Sequence, residues 1–169
     1  MRRVLGLVAA AGFGVDRRLR PEVAVPAAGR GWRLAVTLTP SAARWLASAG
    51  EVERLAELSD LPLRWEGRLP SEPKPYPLPD AFVFVPATAN SLAKLALGIA
   101  DNQALTALAE ALGTPGVPVV VRPQADPAQR AHPRWAEHLR TLADCGATIA
   151  DGDISDPWEP LLDLVDAAA

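Results

Sequence analysis

The chain has 169 residues, 49% of them hydrophobic and 22% charged, with a net charge of −3. That length can close one substantial core, while the charge balance offers no basic field to nucleic acid or an anionic membrane, and no apolar run reaches transmembrane length. The single cysteine, Cys145, excludes an internal disulfide and a CxxC metal site and suits a reducing cytoplasm.

Taken in chain order, RRVLGLVAA (2–10) reads as a buried strand that breaks at AGFG (11–14). Its faint likeness to a signal peptide ends at Asp16-Arg17-Arg18, so the strand is the better reading. A short helix follows from about Asp16, with Pro21 and Pro26 expected to interrupt or kink it. WRLAVTLT (32–39) is a second strand. PSAARWLASAG (40–50) opens on Pro-Ser and stops at Gly, the usual asymmetry of helix ends. EVERLAEL (51–58) is amphipathic, and LPLRW (61–65) fits a short third strand. Residues 66–79 carry Pro70, Pro73, Pro75, Pro77 and Pro79 and must form an extended surface loop. AFVFV (81–85) is a strand, followed by helices over about 90–98 and 102–112. VPVVVR (117–122) is another strand, 127–146 is largely helical, ATIA (147–150) is a last strand, and WEPLLDLVDAA (158–168) is a terminal helix.

Strands of uninterrupted Val, Leu and Ala alternating with helices indicate a parallel sheet covered on both faces. With neither an internal repeat nor a linker, residues 1–169 read as a single α/β domain, an open Rossmann- or flavodoxin-like sheet. In such sheets ligands bind outside the carboxyl ends of strands, where helix N-termini present free N–H groups. Three corners qualify: AAGFG (10–14), TPSA (39–42) and PATAN (86–90). Thr39, Ser41, Thr88, Asn90 and Ser91 have short polar side chains suited both to capping a helix and to bonding phosphate. Any one corner is adequately explained as a cap; three at strand ends point towards a ligand.

Other candidates are less specific. His132 and His138 are six residues apart, not at the i, i+4 spacing of a helical metal pair, and read as solvated or capping side chains. Cys145 reads as a buried structural thiol. Asp151, Asp153 and Asp156 lack the glycine and distal glutamate of a calcium loop and read as a solvated turn. No metal site is expected.

The long stretch PATANSLAKLALGIADN (86–102) resembles the Pro-Ala-Ser-Ala-Asn-Thr signature of the flavin-dependent cysteine decarboxylases. That family includes phosphopantothenoylcysteine decarboxylases and the peptidyl-cysteine decarboxylases of lantibiotic pathways. Ala93, Lys94, Gly98, Ala100, Asp101 and Asn102 fall in register with the helix that follows the signature. The resemblance implies an FMN-binding lyase domain acting on a cysteine-containing small molecule or peptide C-terminus, assembled as homo-trimers or dodecamers. In the family, flavin oxidises the thiol side to a thioaldehyde-like species whose adjacent carboxylate then leaves. It also implies cofactor contacts from Thr39, Pro40 and Ser41 and from Pro86, Ala87, Thr88, Ala89, Asn90 and Ser91. Gly12, Phe13 and Gly14 would close over the flavin, although the family usually has Gly-Ser or Gly-Gly there.

Two departures bear on the chemistry. The family's histidine, its proposed base, should fall near Glu72, yet no histidine precedes His132. Glu72 and Tyr76 are the candidates left in that loop, and an ordinary phenol titrates far above neutrality. The family's second motif, Pro-Ala-Met-Asn-x-x-Met-Trp, is replaced by PQADPAQR (123–130). Asp126 stands where an asparagine grips the substrate carboxylate and would repel it; Gln129 replaces the second methionine. Three readings follow: a decarboxylase with altered catalytic residues, a degenerate FMN-binding protein, and a flavin-free interaction domain. The flavin corner argues against the third, and the two missing residues favour the second. Oligomerisation is expected through an apolar face of Leu92, Leu95, Ala96 and Ile99.

Overall fold

The computed structural model describes residues 3–169. Five strands, β1 Val4–Ala9, β2 Arg33–Leu38, β3 Ala81–Thr88, β4 Val119–Gln124 and β5 Thr148–Ile149, form one sheet in the order β2-β1-β3-β4-β5. Every pairing is parallel. This is the flavodoxin-like order, in which the chain leaves β1 for one side and returns to fill the other, opening a crevice between β1 and β3.

Each face of the sheet has its own core. On one face Leu5, Leu7, Leu34, Leu38 and Val83 pack against helical residues Leu19, Val23, Leu46 and Leu162 and against Trp158, which precedes the last helix. On the other, Val8, Phe82, Phe84 and Val121 pack against Leu92, Leu105, Leu108 and Leu142. Alternation along the strands distributes these side chains between the two faces, as burial on both sides requires. Gly6 permits the Phe82 ring to lie across β1, since a Cβ there would come within 2.3 Å of the ring.

The helices are α1 Val15–Leu19, α2 Val25–Gly29, α3 Pro40–Ser48, α4 Glu51–Ala56, α5 Ala89–Ala96, α6 Gln103–Leu112, α7 Pro127–Arg130, α8 Trp135–Asp144 and α9 Leu161–Ala168. A π-helical turn, Arg20–Ala24, joins α1 to α2. Pro21 and Pro26 interrupt the α-helical pattern without ending the helical run: each falls at the first or second position of a new segment, where the missing N–H costs least. Residues 61–65 do not form the expected strand; only Arg64 bridges Thr37, through two backbone hydrogen bonds of 2.8 and 2.9 Å to Leu38 and Val36. Strand β3 continues beyond Val85 to Thr88. The helix expected over 127–146 divides at His132-Pro133-Arg134, where proline has no N–H to continue it and the His132 ring accepts the Arg134 N–H at 3.1 Å. The expected start of β1 at Arg2 lies outside the described residues.

Two burial expectations change. Cys145 is exposed, because it closes α8 at the turn into Gly146. Leu92 and Leu95 are buried within the chain, so the apolar face expected to drive assembly is mainly internal core. Leu97 and Ile99, at the exposed end of α5, are what that segment presents outward. Among the described residues no helix is long and apolar enough to cross a membrane.

Candidate functional site

Three helices begin around the carboxyl ends of β1, β2 and β3. Thr39, in extended conformation, caps α3 by accepting the Ala42 N–H on Oγ1 at 3.2 Å. Thr88 caps α5 in the same way, accepting from Ser91 at 3.3 Å. Asn102 caps α6, its Oδ1 accepting from Leu105 at 2.9 Å. The remaining first-turn N–H groups have no intrahelical acceptor and carry the positive end of each helix dipole. Between them lies a cleft of about 500 Å³ lined by Thr39, Pro40, Ser41, Thr88, Asn90 and Ser91, with Trp45, Lys94, Asp101 and Asn102 completing the wall. Lys94 Nζ sits 2.6 Å from Asp101 Oδ2. Lys94, the one cation among the described residues that line the cleft, is thus already paired, so an anion here meets hydroxyls, amides and helix ends.

The turn after β1 is drawn down onto β3 and β4. Gly12 is buried, and a Cβ on it would lie 2.3 Å from Gln124 Oε1 and 2.8 Å from Pro86. Only glycine allows that approach. Gly14 starts α1 at φ 79°, in the left-handed region that glycine favours. Gln124 donates from Nε2 to the Phe13 carbonyl at 2.9 Å, while its Oε1 is buried without a partner. Phe13 and Gly14 open onto a neighbouring groove shared with Arg17 and Trp45, rather than onto the cleft wall itself. Pro86 and Ala87 are buried behind the cleft, and Ala89 is the first residue of α5. The sequence reading missed Gln124, whose partner Phe13 is 111 residues away.

The three candidate catalytic residues are not brought together. Tyr76 lies half-buried in a second cleft, between loop 66–79, β2 and α6. Glu72 builds its own loop: its carboxylate accepts the Leu69 N–H at 2.7 Å and its carbonyl accepts Arg68 at 2.8 Å. Asp126 caps α7 in a reciprocal capping box with Gln129, at 2.8 Å and 3.3 Å. Both replacements in the PQADPAQR stretch therefore have a structural task. Neither His132 nor His138 lines these clefts.

Asp126 faces a third cleft, beside Arg122, Arg130 and residues 151–154. The aspartates expected in a solvated turn do lie at the surface, and arginines brace the segment that carries them. Arg130 holds the Asp151 carboxylate at 3.0 Å and 3.2 Å. Buried Arg122 donates to the Asp153 carbonyl at 2.8 Å and lies 3.5 Å from the Asp156 carboxylate. Arg18 donates to the Ile154 and Asp156 carbonyls and to Glu22, whose carboxylate also accepts the Trp158 N–H at 2.9 Å. The Arg18 guanidinium, helped by that N–H, holds Glu22 below the usual carboxylate range, against a smaller upward push from burial.

A five-stranded parallel sheet in this order, with a polar cleft at its switch point, defines the flavodoxin-like class of α/β fold. The chain belongs to the Flavoprotein family, whose sequence model matches residues 33–168. No curated protein matches it. Its fold is shared with the FMN-dependent cysteine decarboxylase TvaF of thioviridamide biosynthesis, at 24% identity and TM-score 0.79 over 99% of this chain and 98% of that one. It is shared with the epidermin biosynthesis protein EpiD of Staphylococcus aureus, at 19% identity and TM-score 0.68 over 95% and 89%. A PPC decarboxylase variant complexed with pantothenoylaminoethenethiol aligns at 17% identity and TM-score 0.65 over 88% and 81%.

Proposed function

We propose that the chain is one FMN-binding domain of cysteine-decarboxylase type in which the family's base and carboxylate-gripping asparagine are absent, so that its reaction or substrate departs from theirs. The observation that carries this reading is the meeting of Thr39, Ser41, Thr88, Asn90 and Ser91 in one cleft whose only cation is already paired. These residues fit a flavin phosphate: free first-turn N–H groups and hydroxyls receive an anion without an arginine or lysine. The unpaired Gln124 Oε1 adds a buried acceptor beside the Gly12–Gly14 turn, of the kind that needs a donor from a ligand or water. Bound flavin supplies a two-electron acceptor. The chain's own part is to seat the phosphate on α3 and α5, to wall the cleft with Trp45, and to keep it neutral through Lys94 and Asp101.

The substrate class that accompanies this fold is a cysteine-containing small molecule or peptide C-terminus, and the assembly is a homo-trimer or dodecamer using the exposed Leu97 and Ile99. Asp126 is committed to its capping box and carries a charge that opposes a substrate carboxylate. A second reading, an active decarboxylase, is favoured by one observation: Tyr76 is half-buried in a cleft next to the proposed flavin site. Carbon dioxide release from phosphopantothenoylcysteine and from a peptide ending in cysteine separates the two. A positioned general base contributes about 10²–10⁴-fold, so turnover is expected at roughly a hundredth or less of an intact family member. Equal turnover would remove the altered-site reading, and its loss in Tyr76→Phe would identify the replacement.

A further inference from the structure

The turn between β1 and α1, residues 10–14, stands between the polar cleft and the end of β4. Ala10 and Ala11 line the cleft. On its other side the turn meets Gln124, the register partner of Thr88 where β4 and β3 end. Gln124 is only 8% exposed, and its bond to the Phe13 carbonyl ties the turn to the far strand. The turn's other backbone bonds are local or reach β3. Ala10 N–H donates to the Pro86 carbonyl at 3.1 Å, Gly12 N–H to the Ala10 carbonyl at 2.9 Å, and Val15 N–H to the Gly12 carbonyl at 3.2 Å.

The Gln124 tether is one-sided. A carbonyl can only accept, so Phe13 fixes which end of the amide faces it and leaves Oε1 against Gly12. Among the described residues, Oε1 is the one buried side-chain polar atom without a hydrogen-bond partner. A neutral hydrogen bond favours a placement by a factor of about 2–10, whereas a buried carbonyl left unpaired disfavours it by a factor of about 5–150. Within the protein alone, Gln124 therefore adds nothing net to folding. An apolar side chain of its length would fill the same space without the unpaired atom, and Phe13, 59% exposed, leaves its carbonyl within reach of water. A ligand changes that balance. A molecule resting on Ala10 and Ala11 favours the placed turn by its own affinity, which offsets the unpaired atom.

We infer that Gln124 is a positioning residue for the ligand of the neighbouring cleft: through Phe13 it sets the turn that the ligand rests on, and its effect is on binding, not on folding. That this ligand is FMN rests on the reading above; the action of the tether on the turn does not.

Gln124→Met, which keeps the length and removes both polar atoms, tests this in the full chain. Three quantities are compared with the parent: the urea midpoint of FMN-free protein, the FMN dissociation constant from flavin fluorescence, and hydrogen exchange of the Gly12 and Val15 amides. The midpoint is expected to stay unchanged or rise. The two amides should exchange about 2–10-fold faster, the factor of one lost hydrogen bond, and FMN should bind more weakly by about the same factor. A lowered midpoint, or a variant that fails to fold, makes Gln124 an ordinary structural hydrogen bond and overturns the inference. Unchanged FMN affinity in a parent that binds FMN keeps the flavin reading and removes the positioning role. A parent that takes up no FMN removes the flavin reading instead. The tether is then retained if the two amides exchange faster in Gln124→Met at an undiminished midpoint, and rejected if their exchange is the same.

Discussion

Two corners at the same end of the sheet have been put to opposite uses. At the ends of β2 and β3, short polar side chains cap helices yet leave first-turn N–H groups open, and the only cation is paired off. At the end of β4, polar groups are consumed internally: Asp126 and Gln129 cap each other's helix turn, and Arg18, Arg122 and Arg130 brace residues 151–156. The first corner leaves its helix N–H groups and hydroxyls open to the cleft. The second spends its polar groups on a brace. The two corners are stabilised by separate sets of contacts, so each can be perturbed without the other.

That separation can be broken experimentally. The largest effect is expected from Trp158→Ala, which removes a fully buried ring that also lies under the Arg18 guanidinium at 4.2 Å. Emptying such a site costs about 3–5 kcal/mol, measurable by urea denaturation, while flavin content of the still-folded protein stays unchanged. Glu22→Ala comes next, at about 2 kcal/mol, because it deletes an acceptor shared by Arg18 and the Trp158 N–H. Its effect depends on pH. Glu22 titrates below its ordinary value when folded, so its stabilisation is complete at neutral pH and is lost as pH falls through that lowered value. Parent and variant stabilities should therefore converge in acid, and a constant gap down to pH 2 would remove the ion-pair account. Asp126→Ala should cost only about 1 kcal/mol, the price of an N-cap, and leave flavin content intact. If Asp126→Ala instead abolished flavin binding, the two corners would not be independent.

The fold was legible because β1, most of β3 and the first half of β4 are apolar runs, and because Thr39-Pro40-Ser41 and the run-up to Asn90 carry the residue types that start helices. The polar corner at the ends of β2 and β3 was legible for the same reason: its side chains are local to those caps. The brace was only partly so. Asp126-Pro-Ala-Gln129 has capping-box spacing with proline at the first helical position, a signal that was present and was read instead as a departure from a substrate motif. Arg122 and Gln124 could not be interpreted from their neighbours, since their partners lie 31 and 111 residues away. Residues 61–65 have strand composition, but pairing beyond one bridge depends on how the edge of β2 meets them, which no local pattern encodes.

Flavin content is the most direct test of the central assignment. Purified protein, and apo-protein reconstituted with FMN, should show the absorption of one bound oxidised flavin per chain. Asn90→Asp should lose that flavin without loss of fold, because it sets a carboxylate in the cleft where like charge opposes the phosphate. A colourless protein that takes up no FMN, or an Asn90→Asp variant that retains as much flavin as the parent, would contradict the assignment.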